Sequence, residues 1–235
     1  MKAIDPVATR DVLLLSLAAG SADAAGFIGL GRVFTSNMTG NIVLLGIALG
    51  QGHLADAVRS LFVLAIFMLG VALGERLGRG VDNADWPRIA ARLIGLEKIA
   101  LLLFAAGWTL LPHSHGPASF ALLATLAIAM GLQTAALSRL GAPGVATTAV
   151  TSTLTALVMG LVRVAESAAG SSLQRLVFQG GVLGLYCGGA AVSGVLILFQ
   201  PVLAGWMPLA AALFVSQGIR FRTEDGRGHG GREKF

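Results

Sequence analysis

Eight apolar blocks follow one another along nearly the whole chain, and they limit what it can fold into. They cover residues 11–31, 39–50, 57–77, 93–111, 118–137, 145–164, 176–199 and 202–219. A helix that crosses the hydrocarbon core needs about 20 mainly apolar residues. All blocks but the short second one approach that length, although Pro208 interrupts the last. Of the 235 residues, 55% are hydrophobic and 12% charged; a soluble domain carries about a quarter charged residues. The mean hydropathy is +0.78. A transmembrane barrel would show strands of alternating polarity, and the sequence has none. The expected class is all-α, a polytopic helical membrane protein.

Two polar breaks stand out against this background. The first is Thr35-Ser36-Asn37-Met38-Thr39-Gly40-Asn41. The second is Thr147-Thr148-Ala149-Val150-Thr151-Ser152-Thr153, in the matching place of the second half. Lipid cannot hydrogen-bond a broken backbone, so such a break must be buried in protein or line a polar cavity. Breaks in corresponding positions of two halves point to a transporter's binding site. Thr35 and Thr39 are four apart, as are Thr147, Thr151 and Thr155, so each set lines one helical face. Asn37, Asn41 and Ser152 add amide and hydroxyl groups that can replace hydration around a small polar solute or ion. The bland alternative is hydrogen bonding between helices.

Asp23 lies near the middle of the first block, where an ionisable residue is a functional hypothesis by default. Two roles suit it: accepting a proton or cation during transport, or binding free amides at the start of the short helix near Thr39, whose dipole favours an anion. Thr134, with Gln133 beside it, takes the equivalent place in the second half. Gly20 matches Gly131, Thr35 and Thr39 match Thr147 and Thr151, and Phe67, Gly70 and Val71 match Phe178, Gly181 and Val182. The first membrane repeat is then 11–111 and the second 118–219, joined by a short loop at 112–117.

Charge settles the expected topology. If blocks 39–50 and 145–164 dip in and return, Lys2, Arg10, Arg76, Arg79, Arg88, Arg92, Arg139, Arg163 and Arg175 share one side, with Arg32 and Arg59 on the other. Eight full crossings would divide the positive residues almost evenly. The positive-inside rule prefers the first arrangement. It gives six crossing helices, two short re-entrant ones, two halves in an inverted repeat, and both termini cytoplasmic. Block 39–50 agrees, being about 18 Å long at 1.5 Å per residue. A parallel repeat of eight crossings is the alternative.

The remaining features read more simply. Gly70, Gly74 and Gly78, and Gly184 with Gly188, have the four-residue spacing that lets helices, or copies of the chain, approach closely. Glu97 and Lys98 open the fourth block; Lys98 would snorkel to the cytoplasmic interface, while Glu97 would cap, pair with an arginine or face the cavity. Cys187, in an apolar block, reads as a buried thiol. His113 and His115 lack neighbouring ligands, so no metal is expected, and no cofactor. Residues 1–26 loosely resemble a signal peptide, but Asp5, Asp11 and the apolar continuation at Phe27 and Ile28 favour a first crossing helix. The net charge of +5 resides largely in loops and in residues 220–235, a glycine-rich, disordered cytoplasmic tail, so membrane lipid rather than nucleic acid is the expected partner.

At Ala19-Gly20-x-x-Asp23-Ala24-x-Gly26-Phe27, Val33 to Asn41 and Met130-Gly131-Leu132-Gln133-Thr134-Ala135-Ala136, the chain resembles the YoaK-like family of bacterial membrane proteins, a domain of unknown function (number 1275). The resemblance covers roughly residues 11–218. Ser152 stands where the pattern has glycine. It implies a bacterial inner-membrane protein with about six helices, and neither a substrate nor a reaction.

The expected function is transport of a small polar solute or ion through a site lined by Asp23, Thr35, Ser36, Asn37, Thr39, Asn41, Gln133, Thr134, Thr147, Thr151 and Ser152. A channel fits the same breaks. The rival is a non-transporting scaffold or accessory subunit, in which the polar runs serve packing. No Ser-His-Asp set, paired carboxylates or phosphate loop occurs, so an enzyme is not expected.

Overall fold

The computed structural model describes residues 6–82, 85–111, 116–138, 150–166 and 171–225. Among these there are eight α-helices and no strand. They are α1 (Pro6–Ala24, continued by a π-helical turn, Ala25–Gly29), α2 (Met38–Gly50), α3 (Leu54–Leu77), α4 (Trp86–Leu110), α5 (Pro117–Ser138), α6 (Val150–Glu166), α7 (Ser171–Phe199) and α8 (Pro201–Asp225). Segments Thr9–Gly29, Leu54–Leu77, Pro117–Ser138 and Leu173–Phe199 are long and apolar enough to cross a membrane. Large apolar side chains such as Ile42, Leu61, Met68, Leu103, Leu198 and Phe214 face outward. A surface of that kind suits hydrocarbon, and the chain is a helical membrane protein.

Buried clusters give the helix directions. One joins Leu15 of α1, Trp86, Ile89 and Leu93 of α4, Leu132 and Ala136 of α5 and Val215 of α8. A larger one joins Ala19, Ala22 and Ala25 of α1, Leu101, Phe104 and Trp108 of α4, Leu122, Leu126 and Met130 of α5, and Leu209 and Ala212 of α8. So α1 and α4 run from the first cluster toward the second, and α5 and α8 run back. Two indoles tie these helices: Trp86 donates to the Ala136 carbonyl (3.1 Å) and Trp108 to that of Pro201 (2.7 Å). α3 runs with α5, since Phe62 meets Phe120 edge-on at 5.2 Å, Gly70 lies on Ile128 and Gly74 on Ala135. α7 runs with α1, since Gly181 lies by Leu13, Gly189 by Leu17 and Gly194 by Ile28. Hence α1 ends and α3 begins at one end of the bundle, with α2 between them. α5 ends and α7 begins at the other.

The main packed pairs are α1 with α7 and α8, α5 with α3 and α4, α4 with α8, α2 with α3, and α6 with α7. This set maps onto itself when α1–α4 are exchanged for α5–α8. Glycines permit the closest crossings. A Cβ on Gly20 would lie 1.9 Å from the Tyr186 carbonyl oxygen, and one on Gly131 would lie 2.4 Å from that of Phe67.

Several expectations change here. Gly70 and Gly74 pack on α5 and Gly78 on Trp86, but nothing lies within 4 Å of where a Cβ on Gly184 or Gly188 would be. The packing glycine of α7 is Gly189, which meets α1 as Gly70 meets α5. It sits eight residues beyond Gly181, the match suggested by sequence. Cys187 is exposed, not buried: with Tyr186 and Gly189 turned to α1, residue 187 falls on the outer face. Glu97 and Lys98 lie near the middle of α4, not at its start. The helix begins at Trp86, behind Asp85 with Pro87 in the first turn, a position where proline's missing N–H costs nothing. α8 ends at Asp225, just before Gly226. His113, His115, Thr147 and Thr148 lie outside the described residues.

Candidate functional site: a buried polar break

The first break folds back against α1. Gly31 (φ +108°) and Arg32 (φ +61°) reverse the chain. Gly26 leaves room for its return, because a Cβ there would lie 2.8 Å from the Val33 carbonyl oxygen. Phe27 and Phe34 then stack, with ring centroids 4.9 Å apart. This brings Thr35 and Ser36 to Asp23, and all three are buried.

Asp23 Oδ1 accepts the backbone N–H groups of Thr35 and Ser36, both at 2.6 Å, and the Thr35 hydroxyl at 3.3 Å. Its Oδ2 accepts the Ser36 hydroxyl at 2.8 Å and the phenol of Tyr186. Every group around this carboxylate donates to it. Of the two roles open to Asp23, the arrangement matches the binding of free amides. The amides are those of the break itself, just before α2.

The rest of the break is also tied. Asn41, fully buried, accepts from Phe34 N–H (2.9 Å) and donates to the Phe34 carbonyl, closing a two-bond ring on one residue's backbone. Asn37 caps α2 by accepting from Gly40 N–H at 3.3 Å. Thr39 is exposed. Behind the turn, Arg59 lies over the Phe120 ring (5.7 Å), and its guanidinium fills the space that a side chain at Gly31 would need.

The other candidate residues are not gathered here. Gln133 is buried and donates to the Leu15 carbonyl at 3.1 Å. Leu15 and Asp23 are eight residues apart on α1, about 12 Å at 1.5 Å per residue. Thr134 bonds back to the Met130 carbonyl (2.8 Å) within α5. Thr151 and Ser152 are exposed on α6, whose main packing partner is α7.

The buried break falls within a segment that a family model matches from residue 12 to residue 217, under the description "Protein of unknown function (DUF1275)". The chain belongs to the DUF1275 family. A curated relative, the UPF0700 transmembrane protein YoaK of Bacillus subtilis (strain 168), is 37% identical over 145 residues, 62% of this chain and 63% of that one. The match therefore spans less than two thirds of the relative. No solved structure matches.

In this DUF1275 chain, one functional candidate escapes sequence reasoning and a second is left there among three roles. Tyr186 completes the Asp23 site from α7, 163 residues away. Its only signal was being the chain's one tyrosine inside an apolar block. Glu97 is the other. It is fully buried, and among the described residues neither carboxyl oxygen has a hydrogen-bond partner. Its signal was an ionisable residue at membrane depth, masked by an assumed helix start at residue 93.

Proposed function

We propose that this protein is a multi-pass inner-membrane transporter for a small polar solute or ion, with α2 and α6 as re-entrant half-helices in an inverted repeat. The carrying observation is the buried break: a backbone without helical hydrogen bonds, held by Asp23 of the first half and Tyr186 of the second. Broken helices at the contact between two halves are where transporters bind substrate and move. The helix directions support the inversion, because each helix runs opposite to its counterpart in the other half: α1 to α5, α3 to α7 and α4 to α8. The arginine distribution supports cytoplasmic termini. In this reading the structure is a closed state. Opening parts Tyr186 from Asp23 and frees the amides of Thr35 and Ser36 for a solute.

A second reading, a non-transporting scaffold, is favoured by one observation: Asp23, Asn37 and Asn41 are all engaged within the protein. Stopped-flow light scattering of proteoliposomes separates the two. The vesicles are challenged with gradients of small polyols, amides and alkali-metal salts. Transport predicts flux above protein-free vesicles for at least one solute, lost in Thr35→Val and Asn37→Leu. The scaffold predicts no flux across the panel, and a change only in stability for those variants.

A further inference from the structure

Asp23 is the carboxyl that the break uses, and its acceptor sites are filled by five donors. Glu97 is the opposite case. Its side chain is fully buried, and among the described residues nothing hydrogen-bonds either oxygen. On α4 it lies between Ile94 of one buried cluster and Ala100 of the other. Ser16 lies likewise between Leu15 and Ala19 on α1, and Gln133 follows Leu132 at the near edge of the first cluster on α5, just past Met130 of the second; both are fully buried. The bundle thus carries an internal polar layer where the two apolar clusters meet. The contacts Trp86–Ala136 and Gly107–Leu122 set the α4–α5 register. That register places Glu97 about one helical turn from Gln133.

We propose that Glu97 is a proton-binding site inside the membrane layer and, on the transport reading above, the group that couples solute movement to a proton. The site itself stands on burial and surroundings. An ionised carboxylate at that depth needs a cation or several donors, and an isolated one neutralises instead. Among the described residues no packed element forms an ion pair with it, and the buried ionisable groups of α1, Asp11 and Asp23, are carboxyls on either side of Ser16. α5 has no ionisable residue, and α8 has none between Pro201 and Val215. α3, which touches α4 where Gly74 meets Leu93, carries Glu75 and Arg76 exposed. On α4 itself, Arg92 is exposed; Lys98, the next residue, projects about 100° away round the helix and makes no ion pair with Glu97, so its ammonium acts on the carboxyl only through space and less than burial does. Glu97 therefore holds its proton in this closed conformation. An opening that admits water lets it ionise and release that proton on the open side. The amide of Gln133 and the hydroxyl of Ser16, which donate to the Leu15 and Val12 carbonyls in this conformation, are neutral groups able to accept from the protonated form and, once released, to donate to the ionised one.

Dicyclohexylcarbodiimide, an apolar reagent that adds to protonated carboxyl groups, tests the site without any mutation. The full chain in proteoliposomes is treated across a pH series, digested and mapped by mass spectrometry. Glu97 is expected to be modified, with modification falling as pH rises, while Asp23 stays unmodified. Glu97→Gln, checked for folding by size-exclusion chromatography, should lose the label. If a solute flux exists, it should also lose its response to a pH gradient. An unlabelled Glu97 in folded protein overturns the site. Flux that keeps its pH response in Glu97→Gln overturns the coupling role. A labelled Glu97 in a protein without flux leaves the proton site standing and removes the transport reading.

Discussion

At the scale of single residues, the break depends on acceptors placed where the backbone has donors to satisfy. A buried backbone N–H without a partner loses its full solvation. Asp23 supplies two such groups with one oxygen, so Asp23→Asn, which turns half of the acceptor into a donor, should cost about 2–4 kcal/mol. Tyr186→Phe removes one donor from a carboxylate that keeps four others, and should cost about 1–3 kcal/mol. Thermal unfolding in detergent, followed by tryptophan fluorescence, measures both. The double variant should lose less than the sum, because the two side chains share one bond. Additive losses would mean that this bond contributes nothing. Asn41→Leu is expected to destabilise by about 2–4 kcal/mol, since both backbone groups of Phe34 lose their partner.

At the scale of helices, glycine spacing identifies a close-packing face but not which face turns inward. On α7 the residues 184 and 188 have the spacing, yet Gly189 makes the contact, because the phenol of Tyr186 must reach Asp23 and its position sets the rotation of the whole helix. Substitution tests that rotation. Gly20→Ala and Gly131→Ala would push a methyl against a facing backbone carbonyl, at 1.9 and 2.4 Å. Each should lose about 1–3 kcal/mol to overpacking. Gly184→Ala meets nothing within 4 Å and should be neutral or gain up to about 1 kcal/mol from helix propensity. Denaturant titration of the three variants gives the order directly. If Gly184→Ala proves the worst, α7 is turned the other way or packs on a second copy.

At the scale of the whole molecule, the class and the first break were legible because each depends on local composition. Seven of eight blocks are near membrane length, and five polar side chains with a glycine interrupt them at 35–41. Long-range pairing was not legible. Nothing in the sequence joins Tyr186 to Asp23, and Glu97 stayed open between capping, pairing with an arginine and facing the cavity, because Arg88 and Arg92 before it resemble a loop and put the helix start too late. The topology lies between these cases. It rests on arginine bias in the sequence and on helix directions in the fold, two independent arguments that agree. In the fold the α2–α3 and α7–α8 turns lie at one end of the bundle and the α3–α4 turn at the other, and the proposed topology puts those ends on opposite sides of the membrane. With Cys187 replaced by alanine, single cysteines at Gln51, Asp82 and Gln200 test this in intact cells with an impermeant thiol reagent. All three positions are exposed in turns between helices. Six crossings predict labelling at Gln51 and Gln200, and at Asp82 only after permeabilisation. Eight crossings with the same inside start would exchange the first two results, labelling Asp82 and protecting Gln51. Position 200 labels in both arrangements and serves as the control for expression and access. The comparison of positions 51 and 82 thus decides whether α2 returns the chain to the side it left, as an inverted repeat requires.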